Sequence, residues 1–233
     1  LGPTTLSIAY NKAGIINGCN ALIGELGEKE KAIVKEQCEI TSSKLYTLKP
    51  YKVIKPGLFT YDGITYQLNT IAMYQAHNAS LALEAKHILV GRNDEKEKEA
   101  LAKSLWEGRF EIKERNPLVI IDGAHNMHAV KALNESLDQL KGKKAILFAA
   151  LKRKEYDPMI KELQKHCDGL YLTSFAYPGA LKEKDYEKYH LPYIKDYVEG
   201  LEELKKQYDV IVICGSLYFL SEVVTKINFS GNK

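Results

Sequence analysis

The residues best suited to chemistry lie where one apolar run stops. Leu118-Val119-Ile120-Ile121 ends at Asp122-Gly123-Ala124-His125-Asn126, and a helical pattern begins at Met127. In open α/β sheets, ligands bind beyond the carboxyl ends of strands, where side chains and helix N-termini converge. Glycine permits a turn that other residues resist, the carboxylate can accept from sugar hydroxyls, and Asn126 is placed to cap the helix that follows. The same five residues would also serve as a plain strand-to-helix turn, with Asp122 and Asn126 satisfying local amides. Arg109 follows Gly108 and lies close to Trp106. Its guanidinium can fork onto a phosphate presented between two domains, or form a surface ion pair. Gln75 and Asn78 read as the start of a long helix, where amides either recognise a base edge or cap the helix. His125 and His128 are three apart, but no carboxylate cluster or thiolate pair accompanies them to complete a metal site. The chain has neither a Gly-x-x-x-x-Gly-Lys-Ser/Thr phosphate loop nor a Gly-x-Gly-x-x-Gly turn.

These positions need a scaffold, and the pattern after Trp106 supplies one. Strand-like runs at 118–121, 145–149, 169–172 and 210–213 alternate with helical runs at 127–140, 156–166, 197–208 and 217–227. Near-continuous apolar strands separated by helices predict an α/β domain with a mostly parallel sheet covered on both faces. Upstream, the spacing predicts a helix over 5–15, a strand over 20–24 and a helix over 28–39. Short β-type runs at 44–48, 53–54, 58–61 and 64–68 then predict a small antiparallel patch, with Asp62-Gly63 as a hairpin turn. A long helix is expected over 71–89 and a shorter one ending at 105. Residues 1–105 hold too few parallel strands to cover their helices, so they read as the end of another domain, with the boundary near 106–109.

Composition excludes several classes. At 45% hydrophobic and 27% charged, the 233 residues suffice for a sizeable core. The 33 basic and 30 acidic residues are interleaved, and a net charge of +3 calls for no nucleic-acid surface. Cys19, Cys38, Cys167 and Cys214 are widely spaced and sit in or beside apolar runs, which predicts reduced thiols and a cytoplasmic setting. No apolar run approaches the roughly 20 residues that span a bilayer, and no signal core is seen, so no membrane partner is expected. The chain starts Leu1-Gly2-Pro3 without an initiator Met. A fragment of a longer chain is therefore expected.

Taken together, the motifs resemble folylpolyglutamate synthase, including its bifunctional bacterial dihydrofolate synthase form, within the Mur ligase superfamily of ATP-dependent amide ligases. Leu1-Gly2 through Ile8-Ala9-Tyr10-Asn11-Lys12-Ala13-Gly14-Ile15-Ile16 is similar to the family's Leu-Gly-x-Thr and Ile-Ala-x-Glu-Lys-Ala-Gly-Ile-Ile segment. Gln75-Ala76-His77-Asn78-Ala79-Ser80-Leu81-Ala82-Leu83 resembles its Gln-x-x-Asn-Ala-x-x-Ala-Leu helix, and Trp106-Glu107-Gly108-Arg109-Phe110-Glu111 its Trp-Pro-Gly-Arg-x-Glu stretch. Ile121-Asp122-Gly123-Ala124-His125-Asn126 is the most recognisable signature. Ala149-Ala150-Leu151-Lys152-Arg153-Lys154 and Gly215-Ser216-Leu217-Tyr218 match two later strand-end motifs. Six matches run in order along nearly the whole chain. Asn11 stands where the family has Glu, and Tyr74 where it has His.

The resemblance implies a C-terminal Rossmann-like domain at 106–233, preceded at 1–105 by the C-terminal part of a central α/β ATP-binding domain. It implies an enzyme of folate and one-carbon metabolism that uses ATP and Mg2+ to join L-glutamate to dihydropteroate or a folate through an acyl phosphate. By the same resemblance Asn78 contacts the adenine end of ATP, Arg109 its phosphates and Asp122 its ribose. Lys12 matches a lysine that the family carbamylates, and a carbamate offers Mg2+ the hard oxygen ligands that an ammonium cannot. His125 and Ser216 are implied at the glutamate or nucleotide side of the cleft. Asn11 alters the electrostatics beside Lys12. A monomer is expected. The family's phosphate loop and its Ser, Glu and His metal ligands precede the Leu-Gly-x-Thr segment, so this stretch alone is expected to be inactive. The competing reading is a noncatalytic nucleotide-binding or interaction module from the same family. A Rossmann-type redox domain would need a different glycine pattern.

Overall fold

The computed structural model describes Gly2 and residues 4–229; Leu1 and Pro3 of the opening motif lie outside the described residues. Contacts divide the chain into two units. The first runs to Ile54 and adds Leu58–Gln67 and Ala76–Leu101; the second holds Lys55–Gly57, Leu68–Gln75 and the chain from Ala102 onward.

In the first unit, helix α1 (Thr5–Ala13) starts on a reciprocal cap, in which the Ser7 amide donates to Thr4 Oγ1 and the Thr4 amide to Ser7 Oγ. Strand β1 (Asn20–Ile23) leads into α2 (Glu28–Ile40), and the chain returns as β2 (Lys44–Thr47) alongside β1. This pairing is parallel, which corrects the expected place of 44–48 in an antiparallel patch. The reason is the crossover helix: Ala21 and Ile23 share a core with Val34 and Cys38 of α2 and with Ala13. Burying that helix face requires β2 to lie parallel to β1. The remaining runs form a separate sheet ordered β3 (Tyr51–Lys55), β4 (Leu58–Tyr61), β5 (Ile64–Gln67). Strands β4 and β5 make an antiparallel hairpin on Asp62-Gly63, whose φ values of 47° and 80° are those a two-residue turn of this hand needs.

Helices α3 (Gln75–Val90) and α4 (Asp94–Lys103) complete this unit. Glu97 of α4, 6% exposed, takes hydrogen bonds from Lys86 (2.6 Å), Tyr66 (3.1 Å) and the Asn93 amide (2.8 Å), and lies 3.1 Å from His87 Nε2. The long helix was expected from 71 and starts instead at Gln75. Residues 68–75 belong to the second unit: Ala72 is in its core, and the Met73 amide donates to Ser136 Oγ at 3.0 Å. With its amide and side chains engaged there, the segment cannot continue α3 backward.

The second unit runs β6 (Glu111–Arg115), β7 (Leu118–Ile121), α5 (Met127–Leu137), β8 (Lys144–Phe148), α6 (Tyr156–Leu163), β9 (Gly169–Thr173), α7 (Glu183–Tyr186), β10 (Tyr193–Ile194), α8 (Tyr197–Lys205), β11 (Val210–Cys214) and α9 (Leu217–Lys226). Its six-stranded sheet has the order β10-β9-β8-β11-β7-β6, parallel except for β6. Successive side chains of a strand point to opposite faces, so a sheet covered twice needs apolar residues at every position. Ile120, Ile146, Phe148 and Val212 pack with Val130, Leu133, Met159 and Leu163 of α5 and α6. Their neighbours Val119, Ile121, Leu147 and Ile213 pack with Leu201, Leu204, Phe219 and Val223 of α8 and α9. Each such side chain contributes about 1.5–3 kcal/mol by leaving water. Among the described residues no helix is long and apolar enough to cross a membrane.

Candidate functional site

Strand β11 lies between β7 and β8, so the segments following these three strands meet at one end of the sheet. Main-chain bonds join them: the Asp122 amide donates to Ile213 O (3.0 Å), Gly215 to Ala124 O (3.0 Å) and Ala149 to Cys214 O (3.2 Å). Gly215 has φ 111°, and a Cβ there would fall 2.4 Å from Ala149 O, so only glycine lets β11 turn between its neighbours.

Asp122 is 2% exposed. Its Oδ1 accepts from the Ala124 amide at 2.8 Å, and its Oδ2 accepts from Tyr74 Oη at 2.8 Å and the Phe110 amide at 2.9 Å. Burial pushes its carboxyl up from the ordinary range, opposed by those three donors and by the nearby Arg109 charge. The same surroundings push the Tyr74 phenol well up, with burial the main cause and Asp122 the next.

Arg109 sits between two residues of positive φ, Gly108 (66°) and Phe110 (49°). The loop is fixed at both ends. The Gly108 amide donates to Glu111 Oε2 at 2.7 Å, and Glu111 Oε1 in turn takes Lys113 Nζ at 2.6 Å. The Gly123 amide donates to Gly108 O at 2.7 Å, and Phe110, fully buried, is tied to Asp122. The guanidinium crosses Gly123: a Cβ on that residue would lie 3.3 Å from Arg109 Nη1 and 2.6 Å from Leu217 Cδ2.

His125 is half-buried, with Nδ1 2.8 Å from Gly123 O. A carbonyl only accepts, so Nδ1 carries the proton and Nε2 is the acceptor of the neutral ring. Asn126 caps α5, its Oδ1 accepting from the Ala129 amide at 2.9 Å. Ser216 occupies the cap position of α9 and is 4% exposed, but its side chain makes no cap bond.

The structure thus gathers Arg109, Asp122, His125 and Ser216 in the second unit, at the carboxyl ends of its strands. Lys12 and Asn78 belong to the first unit, Lys12 exposed in the last turn of α1 and Asn78 exposed inside the first turns of α3 rather than at its cap. Two residues were missed as site-builders. Tyr74 drew notice only as a departure from a pattern, and Glu111 stood in the Trp106–Glu111 stretch without a role. The periodicity around them carried no signal of long-range bonds. Among the described residues no group of three His, Cys, Asp or Glu side chains could hold a metal ion, and the four thiols are free. An open cavity of about 430 Å³ lined by Ser174, Lys182, Asp196 and Glu222 includes none of the predicted residues.

Residues 108–217 match the family model described as Mur ligase, glutamate ligase domain. The chain is 29% identical to the dihydrofolate synthase/folylpolyglutamate synthase of Bacillus subtilis, covering 96% of this chain and 58% of that protein. It therefore spans little more than half the length of that relative. Its fold is similar to the folylpolyglutamate synthase of Mycobacterium tuberculosis complexed with ADP and AMPPCP (TM-score 0.84, 20% identity, 99% of this chain and 61% of that one). It is also similar to the bifunctional enzyme of Yersinia pestis complexed with AMPPNP and Mn ion (TM-score 0.81, 20% identity, 97% and 57%). Residues 108–217 are thus similar to the glutamate ligase domain of Mur ligases, in a chain similar along nearly its whole length to folylpolyglutamate and dihydrofolate synthases.

Proposed function

We propose that these residues are part of an ATP-dependent ligase that joins L-glutamate to dihydropteroate or a folate. In this reading residues 106–233 are the Rossmann-like C-terminal domain, and residues 1–105 belong to the ATP-binding domain. One observation carries the proposal: the Arg109 guanidinium and the first turn of α9 flank Gly123, which has no side chain, beyond the end of β7. A helix N-terminus without a side-chain cap leaves its amides open to an anion, and a guanidinium beside it forks onto phosphate oxygens.

Arg109 accordingly binds the ATP phosphates and offsets charge that builds as phosphate moves to the substrate carboxylate. Asp122 sets the ribose end of the nucleotide site, its carboxylate holding the Ala124 amide, the Phe110 amide and Tyr74 Oη around it. Asn78 reads the adenine edge. His125, with Nε2 as acceptor, takes a proton from the glutamate ammonium so that its nitrogen can attack, and Ser216 lines the same side. In the two-step reaction a substrate carboxylate oxygen bonds the γ-phosphorus and releases ADP. The glutamate amine then attacks the acyl carbon and expels phosphate.

Magnesium is different. Among the described residues there is no cluster of His, Cys, Asp or Glu for it, and Lys12 would give one ligand only as a carbamate. The activity is that of the whole protein, a cytoplasmic monomer. The test is to supply the full-length chain with ATP, Mg2+, L-glutamate and either dihydropteroate or tetrahydrofolate. Glutamylated product with at least one acceptor is expected. Tight ATP binding without product from either would favour a noncatalytic module.

A further inference from the structure

The segment 68–75 precedes α3 in sequence yet packs with the ligase domain, where Ala72 and Tyr74 join its core and Met73 is bonded to Ser136. It brings Tyr74 Oη into that domain's site, 2.8 Å from Asp122 Oδ2. That same oxygen accepts from the amide of Phe110, the residue next to Arg109. Phe110 has φ 49°, a conformation uncommon for any residue but glycine, so the bond to Asp122 holds the loop in a shape it would otherwise leave. Only one atom thus separates the Tyr74 hydroxyl from the backbone that aims the guanidinium.

We propose that Tyr74 is a positioning residue for nucleotide binding, acting through Asp122 to keep the Arg109 loop set toward the phosphates. The inference rests on the assignment of Arg109 to ATP made above. Asp122 is nearly inaccessible to water, so its carboxylate is solvated almost entirely by Tyr74 Oη and two amides. Removing one of the three donors makes the ionised form harder to keep. The titratable or charged groups facing it are Tyr74 from the 68–75 segment, Arg109 from the loop and Cys214 from β11. The thiol of Cys214 is pushed well up by burial and stays neutral, so it does not replace the lost donor's support. A carboxyl that has taken a proton no longer attracts Arg109 and binds the Phe110 amide more weakly.

The test compares Tyr74→Phe with wild type in the full-length chain, measuring KM for ATP, kcat and the acid limb of kcat/KM, with thermal unfolding alongside. Tyr74→Phe is expected to raise KM for ATP about tenfold, leave kcat within about twofold, and move the acid limb to higher pH. Ser136→Ala removes the acceptor of the Met73 amide and leaves the donor to Asp122 in place. It is expected to leave the acid limb where it is. In an Asp122→Asn background the additional effect of Tyr74→Phe should nearly vanish, because the two act through one bond. An unchanged KM and acid limb in Tyr74→Phe, additive effects in the double variant, or an equal shift from Ser136→Ala would each overturn the proposal. A wild-type chain that does not bind ATP overturns the underlying assignment and this inference together; one that binds ATP while Tyr74→Phe matches it overturns the inference alone.

Discussion

Replacing Gly123 with alanine should separate nucleotide binding from stability. The added Cβ would meet Leu217 Cδ2 at 2.6 Å, Gly108 O at 3.2 Å and Arg109 Nη1 at 3.3 Å. Leu217 is half-exposed at its position and its methyl can swing away cheaply. Gly108 O cannot, since it accepts the Gly123 amide at 2.7 Å, so the backbones must part slightly. Overpacking of this kind costs about 1–3 kcal/mol, and the lower entropy of an unfolded chain with alanine returns about 0.4–1. The net loss is roughly 1 kcal/mol, a fall in Tm of about 2–4 °C for a chain of this size. Binding should suffer more. Displacing the guanidinium loses a charge-assisted bond of about 1.5–3 kcal/mol, or roughly 10- to 100-fold in the ATP dissociation constant. Calorimetric titration of ATP, paired with thermal unfolding, reads both quantities on the same sample. Wild-type ATP affinity in a folded Gly123→Ala protein would refute the placement of the phosphates over Gly123.

Other expectations concern the frame around the site. Gly215→Ala combines a φ of 111° with a Cβ 2.4 Å from a backbone oxygen, and should lower the urea midpoint by the equivalent of about 3 kcal/mol or more, beyond Gly123→Ala. Lys113→Met strands the buried Glu111 carboxylate that holds the Gly108 amide, and should destabilise by about 3–5 kcal/mol in the same assay, more than removing an exposed pair such as Lys206–Glu203. Burial alone would push Glu97 up, but the hydrogen bonds from Lys86, the Asn93 amide and His87 outweigh it and hold the carboxyl at about 2. Because the folded value lies below the free value of 4.5, this stabilisation is complete above pH 5 and fades as pH falls toward 2. It amounts to roughly 3 kcal/mol. Urea titrations of wild type from pH 5 to pH 3 should show a little over half of that, about 2 kcal/mol, and Glu97→Gln should flatten it.

What could be read from the sequence followed from burial pattern. Strands β7, β8, β9 and β11 are apolar on both faces, and that pattern has one common structural cause, a sheet covered twice. Asp62-Gly63 was legible because its turn demands positive φ. Strand β6 was not, since its Glu111, Lys113 and Glu114 look solvent-facing and are instead buried in ion pairs with each other and with Lys205. The two-residue β10 has too few positions to show any period. The pairing of β2 with β1 and the late start of α3 depend on partners distant in sequence, which local spacing does not encode. At the site, the cap made by Asn126 was legible from its place before a helix. The tie from Tyr74 to Asp122 spans 48 residues and left no local trace.

Amide formation through an acyl phosphate is tested by following one oxygen atom. Full-length protein given ATP, Mg2+, L-glutamate and an acceptor labelled with 18O in its carboxylate should release phosphate carrying one labelled oxygen for each amide formed. Arg109→Ala should abolish that transfer while unfolding at the wild-type temperature. Unlabelled phosphate accompanying amide formation would exclude the acyl phosphate, and undiminished transfer in Arg109→Ala would exclude the role proposed for that residue.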